Sequence, residues 1–319
     1  MKRFFQFFLN KRARAAIFAL VIALAQALVF SLVLTTAATA TQAAETGEGV
    51  QETALAALQK QYESALNIIE HNVQNASSIP ILTYHSFAKQ TDANKKWSDD
   101  AAENSWILPE KQFEAQMDYL AENKFHTATL EELEQYLRGK LKLPDRTVVL
   151  TFDDGYRSNI EIAYPILKKH KFHAAVFLIT GAIGNERYST AASRTPLDFM
   201  NWTDLNRRGD AFSYYSHTHE MHTEYDNGTT KFAAEPLKTV TRDLITSKSL
   251  TGAVYFAYPH GRADARGKAL LKEQGFRMAF IIERGYASRS TDRFAIPRFS
   301  VTPSMDDDEF RQICNREAS

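Results

Sequence analysis

The apolar positions beyond residue 79 switch repeatedly between a spacing typical of strands and one typical of helices. Thr147–Phe152 is a continuous β-branched and apolar run, which indicates a strand buried on both faces. Glu110–Asn123 carries apolar residues on one face at helical spacing, so a helix is predicted there. Short strands separated by helices predict an α/β fold with a parallel sheet, open or closed into a barrel. Further strands are predicted at Ile79–Tyr84, Ala174–Ile179, Phe212–Ser216, Ala253–Tyr258, Met278–Ile282 and Phe294–Val301.

Two more helices are predicted from local signals. Thr129 and Glu132 have the spacing of a capping box, which predicts a helix that begins there and stops at Gly139. A helix is also predicted over Asn159–His170. In parallel sheets and barrels the reacting groups gather at the C-terminal edge of the strands, so chemistry is expected in the residues that directly follow each strand.

The first 44 residues have the pattern of an export signal. A basic start precedes the apolar run Ala15–Leu34 and an alanine-rich exit, which is typical of a cleaved signal peptide. The run is also long enough for an uncleaved membrane anchor. Either way the rest of the chain is expected outside the cytoplasm, as a secreted, periplasmic or outer-face protein that meets the membrane only through this segment. The predicted organisation is 1–44 signal or anchor, 45–78 helical linker or stalk, and 79–319 main domain.

Composition excludes several classes of protein. The 319 residues contain 38 basic and 38 acidic side chains, and this zero net charge argues against a nucleic-acid partner. A single cysteine, Cys314, excludes a disulfide framework within the chain and any cysteine-based zinc or iron–sulfur site.

Two adjacent carboxylates follow the strand predicted at Thr147–Phe152. Asp153 and Asp154 would repel each other beside an apolar core, and a divalent cation would relieve that cost. Gly155 allows a sharp turn that would aim both side chains into a cleft. A helix N-cap with a spare acid is the alternative interpretation.

A group of histidines follows the strand predicted at Phe212–Ser216. His217, His219 and His222 are three of the chain's nine histidines. Imidazole is a common ligand for zinc and similar metals, and two histidines with one carboxylate would make a three-ligand site with open positions. His217 and His222 are the expected pair, and His219 is expected to be a neighbour. A solvated loop without metal remains the alternative.

A third strand end is Phe256–Gly261, which runs into a proline–glycine turn. Backbone N–H groups in such a turn could face a developing oxyanion. Taken alone the pattern also fits an ordinary turn.

In this order the segments resemble the motifs of the NodB-type polysaccharide deacetylases, carbohydrate esterase family 4. Thr151–Tyr156 looks like the family's first motif and Ser216–His222 resembles its histidine motif. The third segment, Phe256–Gly261, falls where the family has its Arg-x-x-Pro-Tyr-Gly-like motif. The resemblance covers about residues 79–302.

One branch of the family is more similar than the others. The spacing of five between His217 and His222 is similar to that of the branch that deacetylates poly-β-1,6-N-acetylglucosamine in biofilm matrix. Ile81–His85 also resembles the start of that branch.

The resemblance implies a distorted (β/α)7 barrel and a set of site residues. Asp154, His217 and His222 would bind a divalent metal, with Zn2+ expected first and Co2+, Ni2+ or Fe2+ as alternatives. Asp153 would be the catalytic base, and the backbone N–H of His260 would be the oxyanion donor.

Two departures from the family pattern bear on this expectation. The third motif lacks the arginine before its proline and has His260 in place of tyrosine, and no histidine follows His260 to match the family's late general-acid motif. Either Asp153 returns its proton to the leaving amine or His260 replaces the missing acid. Arg298 is expected near a strand end, where it would orient Asp153 and favour its ionised form, or would only form a structural salt bridge.

The leading hypothesis is therefore a metal-dependent N-deacetylase that acts on an exported N-acetylglucosamine polysaccharide. Poly-β-1,6-N-acetylglucosamine is the first substrate expected, with peptidoglycan or chitin oligosaccharide second. A carbohydrate-binding or scaffold protein that retains the fold with little turnover is the alternative from another class. A metal-free esterase is disfavoured because the chain has no convincing Gly-x-Ser-x-Gly motif.

Overall fold

Parallel strands built from the buried apolar runs form the centre of the fold. The computed structural model describes residues 75–89, 106–184, 198–205 and 210–317. In chain order the strands are β1 (Ile81–Tyr84), β2 (Ser86–Ala88), β3 (Ile107–Pro109), β4 (His126–Thr127), β5 (Thr147–Phe152), β6 (Ala174–Leu178), β7 (Phe212–Ser216), β8 (Tyr255–Ala257), β9 (Met278–Phe280) and β10 (Phe299–Ser300).

Helices connect most of these strands, as a parallel sheet requires. A π-helical turn, Asn159–Ala163, precedes the third helix, and a 3-10 turn, Pro259–Gly261, follows β8. The α-helices are α1 (Glu110–Glu122), α2 (Leu130–Leu137), α3 (Tyr164–His170), α4 (Trp202–Leu205), α5 (Lys231–Ala234), α6 (Leu237–Thr251), α7 (Ala265–Glu273) and α8 (Asp307–Cys314).

The main sheet has the strand order β10-β1-β5-β6-β7-β8-β9, with all pairs parallel and β4 added beside β5. The sheet curls into the α/β barrel type that the sequence predicts, and this prediction is confirmed. Both faces are covered, because Val149 packs in one apolar cluster while its neighbours Val148 and Leu150 pack in the other. This explains why β5 is a continuous apolar run rather than an alternating one.

The local predictions are confirmed in part. The capping box at Thr129 and Glu132 is confirmed, and α2 ends at Leu137 with Gly139 directly after its C-cap at φ of 70°, as the predicted stop requires. The helix predicted over Asn159–His170 is divided into the π-helical turn and α3. The predicted strand Phe294–Val301 is reduced to β10, because Pro297 has no N–H to donate to a strand ladder.

The N-terminal predictions fall mostly outside the described residues. The segment 1–44 and the linker up to residue 74 belong to the part of the chain that is not described. No helix within the described ranges has the length and apolar composition needed to cross a membrane.

Candidate metal centre

The residues singled out in the sequence meet at one edge of the sheet because each follows the C-terminal end of a strand. Asp153 and Asp154 follow β5, His217 follows β7, and the turn with His260 follows β8. In strand order β6 lies between β5 and β7, and β7 pairs directly with β8. Parallel pairing therefore places these ends together although they are far apart in the chain.

Asp154, His217 and His222 form a compact cluster, here called the Asp–His–His cluster. The Oδ1 atom of Asp154 lies 3.5 Å from Nε2 of His217 and 3.5 Å from Nε2 of His222. One donor atom from each residue lies within 4.8 Å of the other two. The structure thus brings together the three residues expected as ligands.

The chemistry of these donors fits a divalent cation. Asp154 Oδ1 is buried and receives no hydrogen bond from the described residues. His217 Nδ1 lies 2.8 Å from the carbonyl oxygen of Ala257, so Nδ1 carries the proton and Nε2 presents its lone pair to the cluster. Burial and the neighbouring His222 lower the pKa of His217 to about 3, which keeps the imidazole in the neutral form that metals bind.

The backbone turn after β5 separates the two acids. Asp154 has φ of 72° and Gly155 has φ of 87°, both in the left-handed region. A Cβ atom at residue 155 would lie 2.7 Å from the Leu178 side chain, so glycine is required by space as well as by conformation. The Tyr156 hydroxyl hydrogen-bonds to the Asp154 carboxylate and helps to fix its orientation.

Asp153 is held by an arginine rather than by the cluster. Arg298 donates from Nη1 to Oδ1 of Asp153 at 2.8 Å and from Nη2 to Oδ2 at 2.7 Å. Both side chains are buried, and Arg298 is fully enclosed. Burial alone would raise the pKa of Asp153, but the charge and hydrogen bonds of Arg298 hold it well below its usual range. Asp153 is therefore an ionised carboxylate beside the cluster and outside it.

His260 lies against the cluster through its side chain. Its ring stacks on His222 with centroids 4.6 Å apart, and its Nδ1 lies 3.5 Å from Oε2 of Glu224. The residue has φ of 53° in the turn after β8. Pro259 has no N–H and that of Gly261 donates to the carbonyl oxygen of Tyr258 at 2.8 Å, so within this turn only the N–H of His260 has no main-chain acceptor among the described residues.

His85 is a site residue for which the sequence analysis predicted no role. It directly follows β1, and burial lowers its pKa although the nearby carboxylates of Asp154 and Asp153 act in the opposite direction. Its Nδ1 is buried with no hydrogen-bond partner among the described residues, and its ring lies 4.4 Å from Trp106. Because reacting groups gather after strand ends, the position of His85 directly after β1 is a signal that could have identified it, as the positions after β5 and β7 identified the other site residues.

Two residues near the motifs in sequence do not join the cluster. His219, expected as a neighbour, lies in the loop between the two cluster histidines, with its Nδ1 3.0 Å from Thr180 Oγ1. Trp202 is half-buried and packs against the apolar cluster that contains Val148 and Leu150.

Comparison with known proteins adds the family context. The sequence model of the family described as polysaccharide deacetylase matches residues 140–279. That segment contains the Asp–His–His cluster, Asp153 and His260, whereas His85 and Arg298 lie outside it. Poly-beta-1,6-N-acetyl-D-glucosamine N-deacetylase from Staphylococcus aureus (strain MRSA252) is 27% identical over 269 residues, covering 77% of this chain and 89% of that protein.

Solved structures show the same fold. The Streptococcus pyogenes deacetylase PplD in complex with acetate superimposes with a TM-score of 0.62 at 21% identity, covering 76% of this chain and 99% of that one. IcaB from Ammonifex degensii gives a TM-score of 0.60 at 23% identity, with coverage of 76% and 99%. At these identities the likeness establishes the barrel architecture.

Proposed function

We propose that the chain is a hydrolase of the NodB-type polysaccharide deacetylase family that removes acetyl groups from an exported N-acetylglucosamine polysaccharide with the help of a divalent metal. One observation carries the proposal: two adjacent acids have separate environments, Asp154 in the Asp–His–His cluster and Asp153 against Arg298. A cation site beside an ionised carboxylate that does not bind the cation would supply the Lewis acid and the base that metal-assisted amide hydrolysis uses.

Asp154, His217 and His222 would hold the metal. Zn2+ is our first choice, with Co2+, Ni2+ or Fe2+ as alternatives, because two imidazoles and one carboxylate suit several ions. Such a cation lowers the pKa of bound water toward about 7 and polarises a carbonyl oxygen. The hydrogen bond from His217 Nδ1 to Ala257 fixes which nitrogen faces the site.

Asp153 would act as the base that takes a proton from the attacking water. The two hydrogen bonds from Arg298 keep the carboxylate ionised and fix its plane. Arg298 would thus orient Asp153 through a buried ion pair. The backbone N–H of His260 would donate to the oxyanion that forms on the acetyl carbonyl oxygen when water adds to the carbonyl carbon.

The amine that leaves when the amide bond breaks needs a proton, and three groups at the site are considered as its donor. Asp153 is held ionised by Arg298, and the Nδ1 of His260 faces Glu224. His85 Nδ1 and His260 Nε2 are both buried without a hydrogen-bond partner among the described residues, so we add His85 to His260 and Asp153 as a third group that would donate this proton.

Poly-β-1,6-N-acetylglucosamine is the first substrate that we propose, because the relative named above acts on it by name and matches most of this chain. Peptidoglycan and chitin oligosaccharides come second. We also propose that segment 1–44 exports the protein, that 45–78 is a linker, and that 79–319 forms the deacetylase domain.

Acetate release from defined oligomers tests the function. Metal-stripped protein is supplied with Zn2+, Co2+, Ni2+ or Fe2+ and offered β-1,6- and β-1,4-linked N-acetylglucosamine oligomers. We expect metal-dependent acetate release, faster on the β-1,6 oligomers, and none from Asp153→Asn. Oligomer binding without acetate release under any metal would favour the alternative of a carbohydrate-binding protein.

A further inference from the structure

The loop between the two histidines of the Asp–His–His cluster is held by a buried carboxylate on α6. Asp243 is 6% exposed. Its Oδ1 accepts the backbone N–H of His219 at 2.8 Å, and its Oδ2 accepts that of Glu220 at 2.6 Å. Each carboxylate oxygen therefore binds one of two consecutive main-chain donors in the loop.

The start of the loop is also fixed by α6 and by its own backbone. Thr218 has φ of 73°, a conformation that a β-branched residue adopts only when its surroundings impose it. Its carbonyl oxygen accepts from Ser247 Oγ at 3.3 Å, and its own Oγ1 accepts the N–H of Met221 at 3.3 Å.

The opposite side of the loop rests on the chain that follows β6. The N–H of Thr180 donates to the carbonyl of Thr218 at 3.1 Å, and that of Gly181 donates to the carbonyl of His219 at 3.0 Å. A Cβ at residue 181 would lie 2.5 Å from the His219 carbonyl oxygen, so a larger residue would push the loop away. Contacts on both sides thus set the path of the loop.

The two cluster histidines depend on this loop to different degrees. His217 follows β7 directly and its ring is held by the carbonyl oxygen of Ala257, whereas His222 lies at the far end of the loop. The distance from His222 to Asp154 is therefore set by how the loop residues are held. A metal centre whose ligands are already in place binds its ion more tightly than one that must be ordered on binding.

We propose that Asp243 is a positioning residue of the metal centre: by binding the main chain at 219–220 it places His222 against Asp154 and His217 before a cation binds. The inference rests on the proposed function, since it takes the Asp–His–His cluster as the metal site. Asp243 itself touches neither metal nor substrate.

Metal affinity, measured without substrate, tests the proposal. Zn2+ affinity is determined by competition with a chromophoric chelator for wild type, Asp243→Asn and Asp243→Ala, and the visible spectrum of the Co2+ form reports the ligand geometry. Asparagine keeps one acceptor but presents an N–H2 group to the second donor, so we expect affinity to fall about 10-fold, and about 100-fold for alanine. Asp243→Glu, which keeps both acceptors, is expected to bind better than either.

A matched control separates positioning from general stability. Glu134 is an equally buried carboxylate, 2% exposed, on α2. Glu134→Gln should lower the free energy of unfolding and leave Zn2+ affinity and the Co2+ spectrum unchanged. Gly181→Ala, which displaces the same loop from its other side, should weaken Zn2+ binding even if Asp243→Ala does not fold.

Two results would overturn the proposal. The first is that Asp243→Asn and Gly181→Ala, both folded, show the Zn2+ affinity and the Co2+ spectrum of the wild type. The second is that Glu134→Gln loses as much Zn2+ affinity as Asp243→Asn. Failure of the proposed metal site would be recognised separately. In that case the wild-type protein would retain no metal, or the His222→Ala variant would retain as much metal as the wild type.

Discussion

At the scale of single residues, the site depends on how two neighbouring carboxylates obtain different partners. The left-handed backbone at Asp154 sends its side chain to the two imidazoles, while Asp153 meets the guanidinium of Arg298. Burial raises the pKa of Asp154, whereas Arg298 holds that of Asp153 well below its usual range. Two neighbouring aspartates thus have different partners: the Asp154 carboxylate faces two imidazoles, whereas the charge of the Asp153 carboxylate is balanced by Arg298.

Removing a cluster residue should abolish metal retention. Asp154→Ala and His222→Ala each delete one of three donors, so metal analysis after dialysis is expected to find the ion in wild type and not in these variants. Asp153→Asn is the matched control on the neighbouring position and should keep its metal while turnover is lost. Full metal occupancy in Asp154→Ala would contradict the ligand assignment.

Breaking the buried ion pair should cost both stability and activity. Arg298→Met leaves the Asp153 carboxylate buried without a cation, so the free energy of unfolding is expected to fall by about 3–5 kcal/mol in urea titrations. The double variant Asp153→Asn with Arg298→Met removes the uncompensated charge and should recover part of that loss. If the double variant were no more stable than Arg298→Met, the ion pair would not be the cause.

At the scale of elements, the sequence predicted those helices and strands whose formation depends mainly on neighbouring residues. The β-branched run of β5 and the capping box of α2 needed no distant contact to be recognised, and both are present. The division of Asn159–His170 and the reduction of Phe294–Val301 depend on packing and on a proline within an apolar run, so periodicity alone could not give them. The site position of His85 was missed for a different reason. The sequence shows that it follows a strand, but it does not show which residues from other strands lie beside it.

The α2 capping box offers a test at this scale. The Thr129 side chain accepts the N–H of Glu132 at 3.2 Å, and Glu132 accepts the N–H of Thr129 at 2.9 Å. Thr129→Ala should lower the free energy of unfolding by about 1 kcal/mol, measured by urea denaturation. Thr129→Ser, which retains the hydroxyl, should lose less, and metal affinity should change in neither. Equal losses for serine and alanine would show that the hydroxyl is not responsible.

At the scale of the whole molecule, the fold could be predicted because strand ends, motif order and family resemblance agree. The distances within the site could not, because they join β5, β7 and the chain near β10 across long stretches of sequence. Arg298 illustrates this, since the sequence allowed both an orienting role and a remote salt bridge, and only the sheet order brings it to Asp153. Long-range polar contacts of this kind also hold the barrel together away from the site.

Glu134 provides the clearest such contact, and its charge makes barrel stability depend on pH. It accepts hydrogen bonds from Tyr255 at 2.8 Å and Arg138 at 2.8 Å and lies 2.6 Å from Arg277. Burial alone would raise the pKa of Glu134, but these partners lower it below its ordinary value. A group whose pKa is lower in the folded state stabilises the fold above its unfolded pKa of about 4.3, and this contribution is lost as pH falls through the folded value.

Glu134→Gln should therefore unfold more easily than wild type at pH 7, by about 2 kcal/mol. The difference should narrow as the pH falls below about 4, because wild type then loses the charge that the variant never had. Urea titrations of both proteins at a series of pH values, each in metal-free buffer, measure this difference without interference from the site. A gap that stayed constant from pH 7 to pH 3 would mean that the carboxylate's charge does not contribute, and that shape and hydrogen bonding alone hold α2 to β8.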